Sequence, residues 1–479
     1  MNIVDRFASA AAAHPHNIAL VHKNKALTYA QLLQKVQECS AALEQAGIQS
    51  GDNVMLMIPF SIDLYIKILA LFYLGARVVL VDAIKDKNRV VAAFNKAECK
   101  AILTIPLLYR LRFFMFARPL WGRLLNLNAA QTQVLTAKQV DVEETALISF
   151  TTGSTGHPKA ANRTHAFLNI QLETLIKEMK LGANDVHISS LPVVLMCNLA
   201  VGATSVIPPK DHFLQRHFWK RIQLNHPPNV VSASPYHVSC FIHYLDTSHF
   251  NKVFVGGASI LPHFVKEISE KISPEKIEFV YGSTEAEPIA SITASDYLNA
   301  LNEAESGIAV GKPHENLKVL IGKVEPGTLE VLNEGAIGEI LVAGKHVLAD
   351  YYKDKDAFEK NKVTHNGIIW HRTGDAGKFK NNQLYFYGRL KYTWIENGIL
   401  QSPTCFENWL SYHAPQIEAT VLCINNKKYV FYAGNEKQNL KSFLTFEIDH
   451  WIRIKKLPRD NRHLSRIDYE QLIELVINY

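Results

Sequence analysis

Paired cysteines are the first thing this sequence lacks. Its six cysteines, Cys39, Cys99, Cys197, Cys240, Cys405 and Cys423, are scattered through 479 residues without a CxxC. That spacing suits free thiols in a reducing compartment and excludes a disulfide framework or a Cys-ligated zinc site. A strong charge of one sign is also missing. The 51 basic residues stand against 45 acidic ones, leaving +6. So mild an excess fits anionic nucleotides or a membrane surface and argues against nucleic acid as partner. No apolar run is clean enough to span a membrane: in the most apolar window, 64–81, Lys67, Gly75 and Arg77 interrupt. Residues 1–13 carry Asp5 and Arg6 among apolar positions, unlike a signal peptide. The expected location is the cytoplasm, with membrane association left open by one segment, residues 107–125.

That segment holds four arginines, Arg110, Arg112, Arg118 and Arg123, no acid, and many large apolar groups. It reads either as a basic amphipathic surface in peripheral membrane contact or receiving a lipid-bound substrate, or as a hydrophobic helix packed on its own domain or in a dimer contact with the arginines turned outward.

The length calls for two or three domains, and the composition, 48% hydrophobic and 20% charged, is that of a folded protein. Helical and strand patterns alternate from the start. A helix over 2–13 precedes a hairpin through His22-Lys23-Asn24. Thr28 then caps a helix that Gly47 stops. A strand over 53–58, an apolar helix over 61–75 and a strand over 77–81 follow. Such alternation predicts an α/β fold with a parallel sheet.

Three blocks carry chemistry. In the first, an apolar strand, Ala146 to Phe150, empties into Thr151-Thr152-Gly153-Ser154-Thr155-Gly156-His157-Pro158-Lys159. Glycines allow close backbone approach to an anion, hydroxyls donate to phosphate oxygens and Lys adds charge. It is not a Walker loop, because Pro158 stands between Gly156-His157 and Lys159. The second block, Tyr281-Gly282-Ser283-Thr284-Glu285, puts an aromatic, hydroxyls and a carboxylate at a strand end, where open α/β sheets bind ligands. Upstream of it a strand enters the double-Gly turn Gly256-Gly257-Ala258. The third block is Trp370-His371-Arg372-Thr373-Gly374-Asp375, followed by Gly388-Arg389.

In this order, the blocks resemble the adenylate-forming superfamily of acyl-CoA synthetases, peptide-synthetase adenylation domains and luciferases. The resemblance covers nearly the whole chain. It implies a large multi-sheet N-terminal adenylation domain, 1–390, and a small mobile α+β C-terminal domain, 391–479, with a hinge near Lys391. It implies that Thr151 to Gly156 and Lys159 hold phosphates, and that Gly257 and Ala258 line the acyl pocket beside the adenylate. Tyr281 would stack on adenine, with Gly282 and Ser283 beside it. Thr284 would donate to the α-phosphate, and Glu285 would hold Mg2+. Asp375 would accept the ribose hydroxyls, and Arg389 would reach ribose or phosphate. ATP and Mg2+ are the implied cofactors, and CoA a further one for thioester formers.

The superfamily's terminal Lys is the main departure. In Pro458-Arg459 through Ile467-Asp468, Arg466 fills its place, with Lys455 or Lys456 as alternatives, and a forked guanidinium does not replace a compact ammonium conservatively. Residues 191–208 fall where the superfamily gates its acyl pocket. They are aliphatic or sulfur-bearing, which suits an alkyl chain. Ala286 to Ile292 and Gly202 to Pro208 look especially like β-lactone synthetases of olefin biosynthesis. The implied reaction is AMP-forming activation of a carboxylic acid, a fatty or β-hydroxy fatty acid, with transfer to CoA. Capture by the substrate's own β-hydroxyl is the second reading, and a nucleotide-binding protein without turnover the third. Oligomeric state is not legible.

Overall fold

The computed structural model describes residues 2–81, 86–111, 113, 116–125, 127, 136–152, 158–209, 216–301, 307–325, 328–435, 440–441, 446–460 and 465–477. Two compact units emerge. One comprises Met1–Val231, Thr284–Glu287 and Lys345–Asn361, the other Ser232–Ser283, Pro288–Gly344 and Lys362–Tyr479.

The first unit holds a seven-stranded sheet. Its centre is parallel: Thr145–Thr152, Arg77–Val81, Asn53–Met57 and Ala101–Thr104 lie side by side. Asn53–Met57 is buried at every position, as expected for a strand covered on both faces. The helix Ile62–Tyr73 crosses between two of these strands. Ser61 starts it by accepting from the Leu64 N–H. Leu69, Ala70 and Leu71 of this helix are wholly withdrawn from water. Burying one such leucine stabilises the unit by about 1.5–3 kcal/mol.

The same unit carries the hairpin of Ile18–His22 and Lys25–Thr28, turned at Lys23 with φ 51°. Thr28 caps the helix Tyr29–Gln45 through a reciprocal bond with Gln31, as its sequence predicts.

In the second unit, Lys252–Gly256 and Ile277–Ser283 run parallel. Antiparallel strands follow, among them Gly338–Gly344, Ile368–Lys380 and Gln383–Arg389. A small C-terminal domain ends the chain. Its sheet pairs Ala419–Ile424 antiparallel with Lys427–Tyr432, which in turn pairs parallel with His450–Arg453. Alternate residues face opposite sides of a strand. Val421 and Val430 therefore pack with Leu410 of the helix Pro403–His413. Leu422 and Phe431 pack with Leu472 of the helix Tyr469–Ile477.

Candidate active site

The strand Thr145–Thr152 does not lead into a helix. It turns back antiparallel into Pro158–Thr164, with Thr151 opposite Lys159 and Thr152 opposite Pro158. The loop residues Gly153, Ser154, Thr155 and Gly156 lie outside the described residues, and of Thr151 and Thr152 the strand backbone is described. Lys159 is held at the hairpin's return. Its Nζ donates to Asn361 Oδ1 at 2.5 Å, and Asn361 Nδ2 donates to the Ala357 carbonyl at 2.6 Å.

The other edge of that strand collects the next residues. Tyr351 pairs with Ala161, and the Tyr352 N–H donates to the Ala160 carbonyl at 2.8 Å. Leu348 N–H donates to the Glu285 carbonyl at 2.6 Å, and Arg163 Nη2 to the Thr284 carbonyl at 3.0 Å. Lys159, Thr284 and Glu285 are thus assembled around one strand, although Glu285 lies over a hundred residues further along the chain. Burial, and then the Glu285 carboxylate beside it, push the Tyr351 phenol well above its ordinary range.

The second unit assembles another set. Gly256 pairs with Val280, and a Cβ on Gly256 would stand 3.0 Å from the Val280 carbonyl. Gly257 follows with φ +80°, which glycine adopts freely. Gly257 and Ala258 therefore leave the sheet beside the strand that delivers Tyr281, Gly282 and Ser283. Tyr281 Oη donates to Asp375 Oδ2 at 2.7 Å. Burial, and next the Asp375 charge, raise this phenol's pKa well above the usual value, so it stays a donor. Arg389 Nε stands 3.1 Å from Asp375 Oδ1, and its Nη1 donates to the Thr373 carbonyl at 2.9 Å. Asp375 Oδ1 is out of solvent and accepts no hydrogen bond among the described residues; Ser283 Oγ is in the same state.

Glu339 holds the turn that carries Asp375. Its Oε2 accepts from Arg372 Nη2 at 2.8 Å and Nε at 3.0 Å, while its Oε1 accepts from the Gly374 N–H at 3.1 Å. Gly374 has φ +70°, and the Asp375 N–H donates to Thr373 Oγ1 at 3.1 Å. The Asp375 carboxylate is fixed in backbone as well as side chain.

Arg466 sits elsewhere in that unit, on a closed loop. Asp460 N–H donates to the Arg466 carbonyl at 2.9 Å, Arg466 N–H donates to Asp460 Oδ1 at 3.2 Å, and Arg459 bridges Ile467. The adjacent Ser465 Oγ accepts from the Tyr236 N–H at 3.1 Å, which seats the loop at the start of the helix Pro235–Tyr244. Lys391 pairs with Glu470, which also accepts from Tyr392 Oη at 2.6 Å. In the first unit, the helix Pro192–Val201 buries Val194, Leu195, Cys197 and Leu199. Burial raises the Cys197 thiol's pKa far above its usual value, so this sulfur serves as an apolar group.

A family model described as AMP-binding enzyme matches residues 7–352. The chain belongs to the AMP-binding enzyme family. As a member it is an AMP-forming, adenylate-forming acid ligase. A 4-coumarate–CoA ligase of Humulus lupulus is 25% identical over 474 residues, 90% of this chain and 84% of that protein. An olefin β-lactone synthetase of Stenotrophomonas maltophilia is 26% identical over 76% of this chain and 72% of its own. A long-chain-fatty-acid–CoA ligase of Bacillus subtilis is 24% identical, covering 79% of this chain and 74% of its own. Among solved structures, an o-succinylbenzoate–CoA synthetase of Bacillus subtilis with AMP has a TM-score of 0.81 at 19% identity, covering 98% and 97%. An amide bond synthetase of Marinactinospora thermotolerans has 0.81 at 18%, covering 99% of both chains. These likenesses show the fold.

To four residues that position this ligase's candidate site the sequence assigns no role, although Glu339 and Tyr351 fall in a further block, Gly338 to Gly344 and Tyr351-Tyr352, that matches the superfamily. Glu339 had a signal: it is a carboxylate inside the apolar strand Gly338–Gly344, and such a charge needs a partner. Tyr351 lies in a recognisable Tyr-Tyr pair without chemistry of its own. Arg163 and Asn361 had no local signal, because each acts across a long stretch of chain.

Proposed function

We propose that this ligase activates a fatty or β-hydroxy fatty acid with ATP and passes the acyl group to CoA. The observation that carries the nucleotide part is Asp375. A buried carboxylate oxygen with spare acceptor capacity, beside an arginine and fixed by Tyr281, suits a ribose diol. Tyr281 keeps its ring for adenine while its hydroxyl anchors Asp375, and Arg389 offers its remaining N–H groups to ribose or phosphate. Lys159 and the Thr/Ser/Gly loop before it would take the β- and γ-phosphates, and Thr284 the α-phosphate. Among the described residues no cluster of three metal-ligating side chains exists. Mg2+ does not need one: it keeps waters and takes phosphate oxygens beside one or two carboxylates, so Glu285 suffices. Bound there, Mg2+ would neutralise charge on the leaving pyrophosphate.

The substrate carboxylate oxygen attacks the α-phosphorus, and the bond to the β-phosphate oxygen breaks. This gives acyl-adenylate and pyrophosphate. The protein's part is alignment and charge stabilisation. In the second half-reaction a CoA thiol attacks the acyl carbon, loses its proton and expels AMP. Lys391 would be the hinge about which the C-terminal domain turns between the two. The apolar wall of Val194, Leu195, Cys197 and Leu199 supports an alkyl chain. The same wall, the relatedness to olefin β-lactone synthetases and the Arg466 departure support a second reading. In it, the substrate's β-hydroxyl captures the adenylate and CoA is not needed.

Acid-dependent exchange of labelled pyrophosphate into ATP, without CoA, across plain fatty, β-hydroxy fatty and aryl acids tests the proposal. Exchange with a fatty acid, and thioester only on adding CoA, supports it. Lactone from a β-hydroxy acid without CoA establishes the second reading. Exchange with aryl acids alone overturns the alkyl assignment.

A further inference from the structure

Among the described residues of 107–125, Leu108, Tyr109 and Trp121 pack partly buried against the core, and two further sets of apolar groups differ sharply in exposure. Phe116, Leu120 and Leu124 are buried in a core with Phe94, Ile102 and Phe150. Leu107, Leu111 and Phe113 face water, at 61%, 42% and 52% exposure. The segment is not the single packed helix that one sequence reading allowed. The helix Pro106–Arg110 is short, and Arg118–Arg123 forms a 3-10 turn. The exposed groups still have a folded support. Phe113 meets Trp121 edge-on at 4.8 Å, and Trp121 Nε1 donates to the Phe116 carbonyl at 3.0 Å. Arg110, Arg118 and Arg123 are exposed, and none has an ion-pair partner among the described residues.

The charge count is stronger than the local picture. Between Glu98 and Asp141 stand Lys100, Arg110, Arg112, Arg118, Arg123 and Lys138 and no acid. Those six charges equal the whole excess of +6, so the rest of the chain balances to zero. Three large apolar side chains beside unpaired arginines, in a stretch that carries no acid between Glu98 and Asp141, are complementary to a surface that is anionic above and apolar beneath. A second copy of this face would bring like charge against like.

We propose that this face docks the ligase on anionic lipid bilayers, with Leu107, Leu111 and Phe113 entering the interface and the arginines at the headgroups. Apolar insertion plus a basic patch supplies the two signals that stable peripheral binding takes. The inference stands whichever acid the ligase accepts.

The test is co-sedimentation of the full chain with vesicles of phosphatidylcholine alone or mixed with phosphatidylglycerol, at low and high salt. Binding is expected only to the mixed vesicles, and salt should weaken it. Arg110→Gln/Arg118→Gln/Arg123→Gln should weaken it about fivefold per arginine, or about a hundredfold together. Leu107→Ser/Leu111→Ser/Phe113→Ser should release the protein at salt where the parent still binds. Pyrophosphate exchange unchanged in both variants would show that each is folded. No preference for anionic vesicles, an arginine variant that binds like the parent, or a Phe113-dependent dimer in sedimentation velocity without lipid would each overturn the proposal.

Discussion

Asp375 and Glu339 at the candidate site are buried carboxylates, and Glu407 in the C-terminal domain is a half-buried one in opposite company. Asp375 faces Arg389 and Glu339 faces Arg372. Glu407 Oε1 accepts only hydroxyls within bonding distance, Thr420 Oγ1 at 2.6 Å and Tyr469 Oη at 2.8 Å. At Glu407 neutral donors leave burial to favour the protonated acid. The first pair each face a guanidinium, and Asp375 Oδ1 keeps spare acceptor capacity, as ligand holding requires. Glu407 is a protonatable joint between the helix Pro403–His413, a strand and the terminal helix.

Removing Asp375 should break the comparison most severely. Asp375→Ala takes away the spare acceptor, strands the Tyr281 hydroxyl and removes the Arg389 ion pair. The expected loss is about a hundred- to a thousandfold in kcat/KM for ATP, read by pyrophosphate exchange. An effect under tenfold would mean that Asp375 is a structural anchor for Tyr281 and does not touch nucleotide.

Glu339→Gln is the milder cut, because Gln keeps an acceptor but loses the charge facing Arg372. The turn through Gly374 should loosen. KM for ATP is expected to rise about tenfold with kcat changed less, and stability to fall by about 1–3 kcal/mol in urea unfolding. Equal losses in kcat and kcat/KM would instead give Glu339 a part in the chemical step.

Legibility followed the same division. Tyr281, Asp375 and Arg389 come together in the structure, and their blocks are legible because each is contiguous and carries side chains whose types suit a nucleotide. The parallel core was legible because Asn53–Met57 and Arg77–Val81 are apolar runs separated by a helical pattern. Glu339 shows locally only as a charge inside an apolar strand, and Asn361 not at all, because the partners of both are distant in sequence. In the C-terminal domain, two strands were legible. His450–Arg453 was not: it is four residues long, polar at both ends, and is a strand only because Lys427–Tyr432 offers its edge.

Arg466 gives a smaller expected effect. Its backbone is locked to Asp460, so a substitution changes the side chain and leaves the loop in place. If the guanidinium serves adenylation, Arg466→Ala should lower exchange about tenfold and Arg466→Lys should keep or raise it. Equal exchange in all three proteins would remove Arg466 from the first half-reaction.

The finest distinction is in pH. Burial pushes Glu407 up to about 7 from an ordinary 4.5, and the Thr420 and Tyr469 hydroxyls and the nearby Arg459 only partly oppose it. Arg459 is itself engaged by Glu418 at 2.6 Å. Across that window the folded chain holds a proton that the unfolded chain has released. The stability from this carboxyl is therefore full below the unfolded value and is lost as pH rises through about 7. The cost above neutrality is about 1–3 kcal/mol. Glu407→Gln keeps an acceptor for both hydroxyls and has no proton to lose. Its Tm should exceed that of the parent on the alkaline side and converge with it in acid. A variant whose Tm falls with pH as steeply as the parent's would place the pH response elsewhere and dissolve the contrast between the two kinds of carboxylate.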